Sequence, residues 1–116
     1  MLIHPLFTTF VLFVLVHICI WFSTNSQFTD INILNSHALL IAIILSVPIS
    51  LIGLFAAKFG YQATGSVWTV RFLAFGTSYL IFPILTWTLL GESMMTSKTI
   101  ICTLLSIVII LTQLYG

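Results

Sequence analysis

The chain has 116 residues, of which 60% are apolar and only 4% are charged, and its formal net charge is +1. Soluble globular domains carry about a quarter charged residues, so this chain lacks the side chains that would hydrate a folded surface. Three Lys and Arg residues are also too few to form a nucleic-acid-binding stripe. We therefore predict an integral membrane protein whose main partner is the lipid bilayer, with no nucleic-acid partner.

Apolar runs long enough to cross a membrane occur four times, since a spanning helix takes about 20 residues. They cover residues 5–22, 38–57, 67–90 and 99–115. The runs are too long for barrel strands, and helices satisfy their own backbone hydrogen bonds in lipid. We predict one all-α domain over residues 1–116, a bundle of four transmembrane helices joined by short loops.

Residues near the ends of these runs match the chemistry of helix termini. Pro5 suits a first helical position, Asn35 or Ser36 is expected to cap the second span, and Thr96 or Ser97 the fourth. Aromatic residues that fall near span ends, as in an interfacial belt, are Trp21, Tyr61, Trp68, Trp87 and Tyr115. These signals predict where each helix meets the membrane surface.

Basic residues give a weak prediction of orientation. Lys58 and Arg71 flank the second loop, on the same side as both termini, whereas Lys98 lies on the other side. The positive-inside rule places both termini in the cytoplasm, with the cell (inner) membrane as the expected location. The margin is about one charge, so a dual orientation stays open. No basic stretch precedes the first span, which favours a retained helix over a cleaved signal peptide.

Arg71 is the strongest candidate for a binding residue, because a guanidinium at the membrane centre costs at least ~2.5–3.5 kcal/mol on insertion scales. At helical spacing it shares one face with four aromatic residues, Trp68, Phe72, Phe75 and Tyr79. We predict that Arg71 binds the negative group of a substrate against this aromatic wall, or is held over the rings until an anion arrives. The alternative is that Arg71 snorkels to the interface and fixes the depth of the helix.

His17 lies in the first span, without an acidic residue nearby in the sequence. We predict that it contacts substrate or relays protons, and the alternative is a neutral side chain hydrogen-bonded to a neighbouring helix. The three His residues lack carboxylate partners, so we predict no metal site and no cofactor. Glu92, which follows a candidate C-capping Gly91, is expected to cap the fourth span or to pair with Lys98.

Small residues recur on one face of the second span: Ala42, Ser46, Ser50 and Gly53. Such faces let membrane helices approach closely, and Cys102 and Ser106 form a shorter version on the fourth span. We predict that these residues form helix-packing contacts or an oligomer interface, and both options stay open. Gly76 and Pro83 are expected to let the third span bend.

Two short motifs lie in the second half of the chain. The stretch Tyr61-Gln-Ala-Thr64-Gly65 precedes the third span, and the run from Leu85 to Glu92 ends it with Trp87 and Gly91. They look like the Tyr-x-x-Thr-Gly and Trp-x-x-x-Gly-Glu/Gln motifs of the small multidrug resistance family, within the drug/metabolite transporter superfamily. Residues 50–116 carry this resemblance, and residues 1–49 share only the architecture.

The resemblance implies a dimer, with a chamber lined by the first three helices, that moves small molecules across the membrane. That family binds protons or cations on a glutamate of the first helix, and this first span has no acid. Aligning the Thr64-Gly65 pair places Trp68 at a tyrosine position of the family and Arg71 at a tryptophan position. A pocket with Arg and without Glu should repel cations.

We therefore predict a transporter of the drug/metabolite type, not an enzyme. It would act as a homo- or hetero-oligomer on an anionic, zwitterionic or lipid-linked small molecule. The sequence shows no nucleophile–base pair and no pair of carboxylates that would support catalysis. The main alternative is a non-transporting membrane subunit that docks on a larger membrane complex, and a weaker one is a free-standing half of a larger transporter.

Overall fold

The computed structural model describes residues 5–93 and 95–115, and its regular elements there are helices. The α-helices are α1 (Pro5–Asn25), α2 (Asn32–Ser36), α3 (Ala38–Thr64), α4 (Val67–Leu85) and α5 (Ser97–Tyr115). A 3-10 turn, Ser26–Phe28, follows α1, and a π-helical turn, Thr86–Leu90, continues α4. Among the described residues, four segments are long and apolar enough to cross a membrane. The predicted all-α fold with four membrane-spanning helices is confirmed.

The four predicted spans are all found, and three of the helices extend beyond them. The largest difference is at α3, which continues to Thr64 rather than ending near residue 57. Lys58 does not stop the helix, because lysine is a good helix former. The helix ends where Gly65 adopts a left-handed conformation, with φ of 68°. The α3 helix is therefore longer than its apolar run.

Two glycines end their helices through the same geometry. Gly65 donates its backbone N–H to Tyr61 O at 2.8 Å, and Gly91, with φ of 76°, donates to Trp87 O at 3.1 Å. A left-handed residue at this position favours glycine, because a side chain would clash with the backbone. The Tyr61–Gly65 and Trp87–Gly91 motifs are thus both helix stops, and the C-capping prediction for Gly91 is confirmed.

The capping prediction for α3 is wrong. The position before α3 is occupied by His37, and no side chain accepts a hydrogen bond from the first turn. Asn35 Nδ2 donates instead to Thr29 O at 2.9 Å, and Ser36 Oγ donates to Asn32 O. Both side chains are used inside the first loop, because the short helix α2 ends directly before α3.

Side-chain caps are present at the start of α4 and α5. Ser66 Oγ accepts a hydrogen bond from the Thr69 backbone N–H at 3.2 Å, and Thr96 Oγ1 accepts one from the Thr99 N–H at 3.3 Å. Each bond satisfies a backbone donor that the helix itself leaves unpaired. The predicted cap at Thr96 is confirmed.

Helix α1 lies at the centre of the packing. It packs most extensively against α3 and also against α4, which packs against α5. The buried core cluster consists of Phe13, Ala56, Val70 and Leu73. The helices approach closely at Gly60, where a Cβ atom would lie 3.0 Å from Val70 Cγ2 and 3.1 Å from Thr9 Cγ2. A small residue at position 60 therefore lets α3 pack against its neighbours.

The predicted small-residue stripe of α3 lies beside this contact rather than in it. Ser46 and Ser50 are exposed, and a Cβ atom added at Gly53 would meet nothing within 4 Å. The residues that α3 buries are Ala56 and Gly60. Within one chain, the stripe is therefore left available to lipid or to another protein.

Gly76 and Ser106 form the close contact between α4 and α5. Ser106 is buried, and a Cβ atom at Gly76 would lie 3.2 Å from Ser106 O and 2.6 Å from Ile110 Cγ1. Ser106 thus packs within the chain, whereas Cys102 is exposed. Gly76, expected from the sequence to be a point of bending, is a packing residue in the structure.

We expect Gly76→Ala to destabilise the fold relative to Gly53→Ala. Both glycines lie inside helices, so alanine improves helix propensity equally at the two positions. Only position 76 forces the new methyl group against α5, and such overpacking costs about 1–3 kcal/mol. Thermal unfolding of both variants in detergent micelles measures the difference. Equal stabilities would contradict the close α4–α5 contact.

Candidate functional site

The predicted binding residues of the third span lie together on the outer side of α4. Trp68, Phe75 and Tyr79 are 71%, 47% and 40% exposed, Arg71 is exposed, and Phe72 is half-buried. The opposite side of α4 is buried, because it contributes Val70 and Leu73 to the core. We call the set Trp68, Arg71, Phe72, Phe75 and Tyr79 the α4 outer face.

The aromatic rings of the α4 outer face form two pairs. The Trp68 and Phe72 rings stack with their centroids 6.0 Å apart, and the Phe75 and Tyr79 rings lie tilted at 5.0 Å. Along the helix, Arg71 lies within the first pair, directly before Phe72. The face therefore presents one positive charge among four apolar rings.

Arg71 keeps its hydrogen-bonding capacity. Within residues 5–93 and 95–115, the structure gives its guanidinium no hydrogen bond and no ion pair. The cation–π contact in this part of the chain is formed by another residue, with Lys58 Nζ lying 5.9 Å from the centre of the Phe55 ring. Arg71 is thus not held over an aromatic ring, and its five N–H donors remain available to an anionic group.

Arg71 lies close to one end of its span. It is four residues into α4, which begins at Val67, so it lies about 6 Å along the helix axis from that end. At this depth the side chain reaches the interface, and the cost of the charge falls well below its value at the membrane centre. The position suits a charge that first meets an anionic group at the membrane surface.

His17 lies apart from Arg71, in the contact between α1 and α4. Its Nε2 donates a hydrogen bond to Ala74 O at 2.8 Å, and its ring stacks on Phe13 with centroids 6.4 Å apart. The structure therefore contains the hydrogen bond to a neighbouring helix that we gave as the alternative role of His17. A substrate contact by His17 stays a prediction.

Two clefts flank α4 beyond the α4 outer face. The α1–α4 cleft, of about 210 Å³, is lined in part by His17, Ser78 and Phe82. The α4–α5 cleft, of about 260 Å³, is lined in part by Tyr79 and again by Phe82. Phe82 was not among the predicted site residues. The sequence does indicate Phe82, because Tyr79 follows Phe75 by four residues and Phe82 follows Tyr79 by three, which places all three near one helix face.

Trp21 has a different role from the one predicted. It is only 2% exposed, and its indole Nε1 donates a hydrogen bond to Thr86 Oγ1 at 3.0 Å. The side chain therefore joins α1 to the π-helical turn instead of lying in an interfacial belt. A buried indole N–H needs an acceptor, and the Thr86 hydroxyl supplies it.

The α4–α5 cleft contains both an acidic and a basic side chain. Glu92 and Lys98 line it, together with the hydroxyl groups of Ser93 and Thr99. The predicted pairing of Glu92 with Lys98 is wrong, because no ion pair joins them in the described structure. Glu92 does not cap α5 either, since Thr96 occupies that position.

Comparisons with protein-family models, with curated proteins and with solved structures give no match for this chain. The resemblance to small multidrug resistance proteins therefore rests on two short motifs alone. In this structure, both motifs end helices. A helix stop is compatible with many functions. Function is better inferred from the α4 outer face and the clefts beside it.

We expect single-tryptophan variants to report this arrangement. With phenylalanine at the other two Trp positions, Trp68 should be quenched strongly by brominated detergent, and Trp21 should be protected because it is buried. Fluorescence quenching in dilute micelles, where chains are separated, is the measurement. Protection of Trp68 in separated chains would contradict an outward-facing α4 surface.

Proposed function

We propose that the chain is a small membrane transporter of the drug/metabolite type that acts as an oligomer. Its substrate is an anionic, zwitterionic or lipid-linked small molecule. Arg71 binds the negative group, and the rings of the α4 outer face contact the apolar part. The observation that carries this proposal is an exposed guanidinium, without a partner among the described residues, on a helix face that also carries two aromatic pairs.

The charge of the face favours an anionic group over a cation. Arg71 is the ionisable side chain among aromatic neighbours, and an arginine binds carboxylate or phosphate through paired hydrogen bonds. A cation at the same place meets the like charge of Arg71 and is repelled by it. The aromatic rings add apolar contact area, which suits a substrate with a hydrophobic part.

The openness of the face supports the proposal of an oligomer. In one chain Trp68 is 71% exposed, so a ligand there has protein on one side only. Ligand sites normally enclose most of the ligand surface. A second chain or a related subunit, packed over α4, supplies the missing wall, and movement between the two walls gives alternating access.

Arg71→Gln should remove most of the transport at low substrate concentration. The fold should stay intact, because the side chain is exposed and bonded to nothing in the described chain. Losing one charge-assisted interaction weakens binding by about 10-fold to 100-fold. Flux into proteoliposomes of anionic, zwitterionic, cationic and lipid-linked compounds is the measurement. Arg71→Lys should give an intermediate flux, since it keeps the charge but loses the paired geometry.

Lys58→Gln is the matched control, because Lys58 is an exposed cation near the same end of the bundle. Its flux should equal that of the parent chain. Transport that survives Arg71→Gln would overturn the role given to Arg71. Transport of cations alone would overturn the substrate class.

A second function is favoured by the small-residue stripe of α3. Ser46 and Ser50 are exposed, and a Cβ atom at Gly53 would meet nothing within 4 Å, so this part of the stripe is open among the residues that the structure describes. Faces of this kind let membrane helices pack closely. The chain would then be a non-transporting subunit that docks on a larger membrane protein.

Gly53→Leu distinguishes the two functions. If the stripe holds a larger membrane protein, this change should release that protein during purification, because the leucine fills the approach that the glycine leaves open. Co-purification before and after the change is the measurement, with Leu54→Ile as a control at an exposed neighbouring position. Unchanged co-purification, together with flux by the chain alone, would reject the subunit function.

A further inference from the structure

We propose that the α4–α5 cleft binds the headgroup of a phospholipid that carries both a primary ammonium and a phosphate, as ethanolamine phospholipids do. This site goes beyond the proposed transport function. The cleft has a volume of about 260 Å³ and lies where α4 ends and α5 begins. Its lining combines one carboxylate, one ammonium and several hydroxyl groups with an apolar wall.

The charges of the cleft suit a ligand with two opposite charges. Glu92 and Lys98 both line it, and no ion pair joins them in the described part of the chain. A ligand with only a negative group would leave the Glu92 carboxylate close to a like charge. A ligand with only a positive group would be repelled by Lys98. A zwitterionic headgroup places its ammonium at Glu92 and its phosphate at Lys98, so each protein charge gains a partner.

Two hydroxyl groups in the cleft have a donor to offer to a phosphate. Thr99 Oγ1 accepts a hydrogen bond from Thr96 Oγ1 at 2.9 Å, and Ser93 Oγ accepts one from the Met95 backbone N–H at 3.0 Å. Each of these oxygens acts as an acceptor in the chain, so its own O–H remains free to donate to a ligand. Together with the Lys98 ammonium they make a set of donors for an anionic oxygen.

The backbone beside the cleft is irregular. Pro83 is buried in α4, the π-helical turn Thr86–Leu90 follows it, and Gly91 then ends that turn in a left-handed conformation. Proline and π-helical turns both interrupt the regular hydrogen-bond ladder, and π-helical turns are frequent at functional sites. This irregular end separates α4 from the start of α5, and Glu92 follows it directly.

The apolar wall indicates a lipid rather than a soluble zwitterion. Tyr79, Phe82, Pro83 and Cys102 line the side of the cleft that continues along the helices. Phe82 is 49% exposed and belongs to the membrane-spanning segment Val67–Leu90, so we expect this side of the cleft to face lipid. An acyl chain placed there buries apolar area while the headgroup remains at the membrane surface.

Native mass spectrometry of the full chain in detergent tests the site without requiring transport. Phospholipids with ethanolamine, choline or glycerol headgroups and identical acyl chains are added, and the bound fractions are compared. We expect the ethanolamine lipid to bind best, because its ammonium donates hydrogen bonds that a quaternary ammonium does not. Equal binding of the choline or glycerol lipid would overturn the proposal.

Glu92→Gln and Lys98→Gln test the two ends of the headgroup. Glu92→Gln should weaken binding of the ethanolamine lipid by about fivefold, and it should not weaken binding of the glycerol lipid. Lys98→Gln should weaken binding of both lipids by about fivefold. These sizes allow for the solvent exposure of both charges. Asp30→Asn and Lys58→Gln are the matched controls, and a loss as large in them as in the site variants would overturn the proposal.

Two further measurements fix the source of the ligand and the place of binding. Soluble phosphoethanolamine, added in equal amount, should not displace the lipid, because it lacks the apolar part. Displacement would assign the cleft to a soluble zwitterion instead. Cys102→Trp should block the lipid by filling the cleft, with circular dichroism to confirm the helical fold. Unchanged lipid binding in this folded variant would place the lipid elsewhere.

Discussion

A backbone in lipid must pair every N–H and C=O within the protein, because no water is present to replace a missing hydrogen bond. This requirement explains why the helices are long and why backbone groups at their ends are hydrogen-bonded. Gly65 and Gly91 end their helices by donating a backbone N–H to a carbonyl of the last turn. Ser66 Oγ accepts a hydrogen bond from a backbone N–H that is otherwise unpaired at the start of α4. The regular hydrogen-bond ladder of α4 is interrupted near Pro83, which lacks an N–H, and in the π-helical turn Thr86–Leu90 that follows it.

Once the backbone is satisfied, the helices associate by close contact and a few hydrogen bonds, since lipid is as apolar as the side chains. Gly60 and Gly76 provide the close approaches, each directed at a different neighbour. Hydrogen bonds between helices then fix which faces meet: His17 donates to a backbone carbonyl of α4, and Trp21 donates to Thr86. Each such bond contributes about 0.6 kcal/mol, so their main effect is to set the relative positions of α1 and α4 rather than to dominate stability.

The spans and the shared face of Arg71 with its aromatic neighbours could be predicted, because hydropathy and helical spacing are properties of one segment. The packing faces could not. In α3 nearly every position is apolar or small, so the sequence does not mark which side meets α1: the buried residues are Ala56 and Gly60, while the more regular stripe through Ser50 stays open. The burial of Trp21 was missed for a similar reason, since its acceptor lies in a distant helix and position near a span end is only indirect information about exposure.

Helix α4 contributes to the core on one side and carries the candidate site on the other, and this double role limits how the site works. Its buried side is held by α1 and α5, so the rings on the outer side are presented by a fixed helix rather than by a mobile loop. Phe82 lines the clefts on both sides of α4, and Arg71 lies near the N-terminal end of the same helix. One chain leaves the α4 outer face, from Trp68 to Tyr79, largely uncovered. Closure needs a surface from outside the chain, and for this reason the transport function that we propose requires an oligomer.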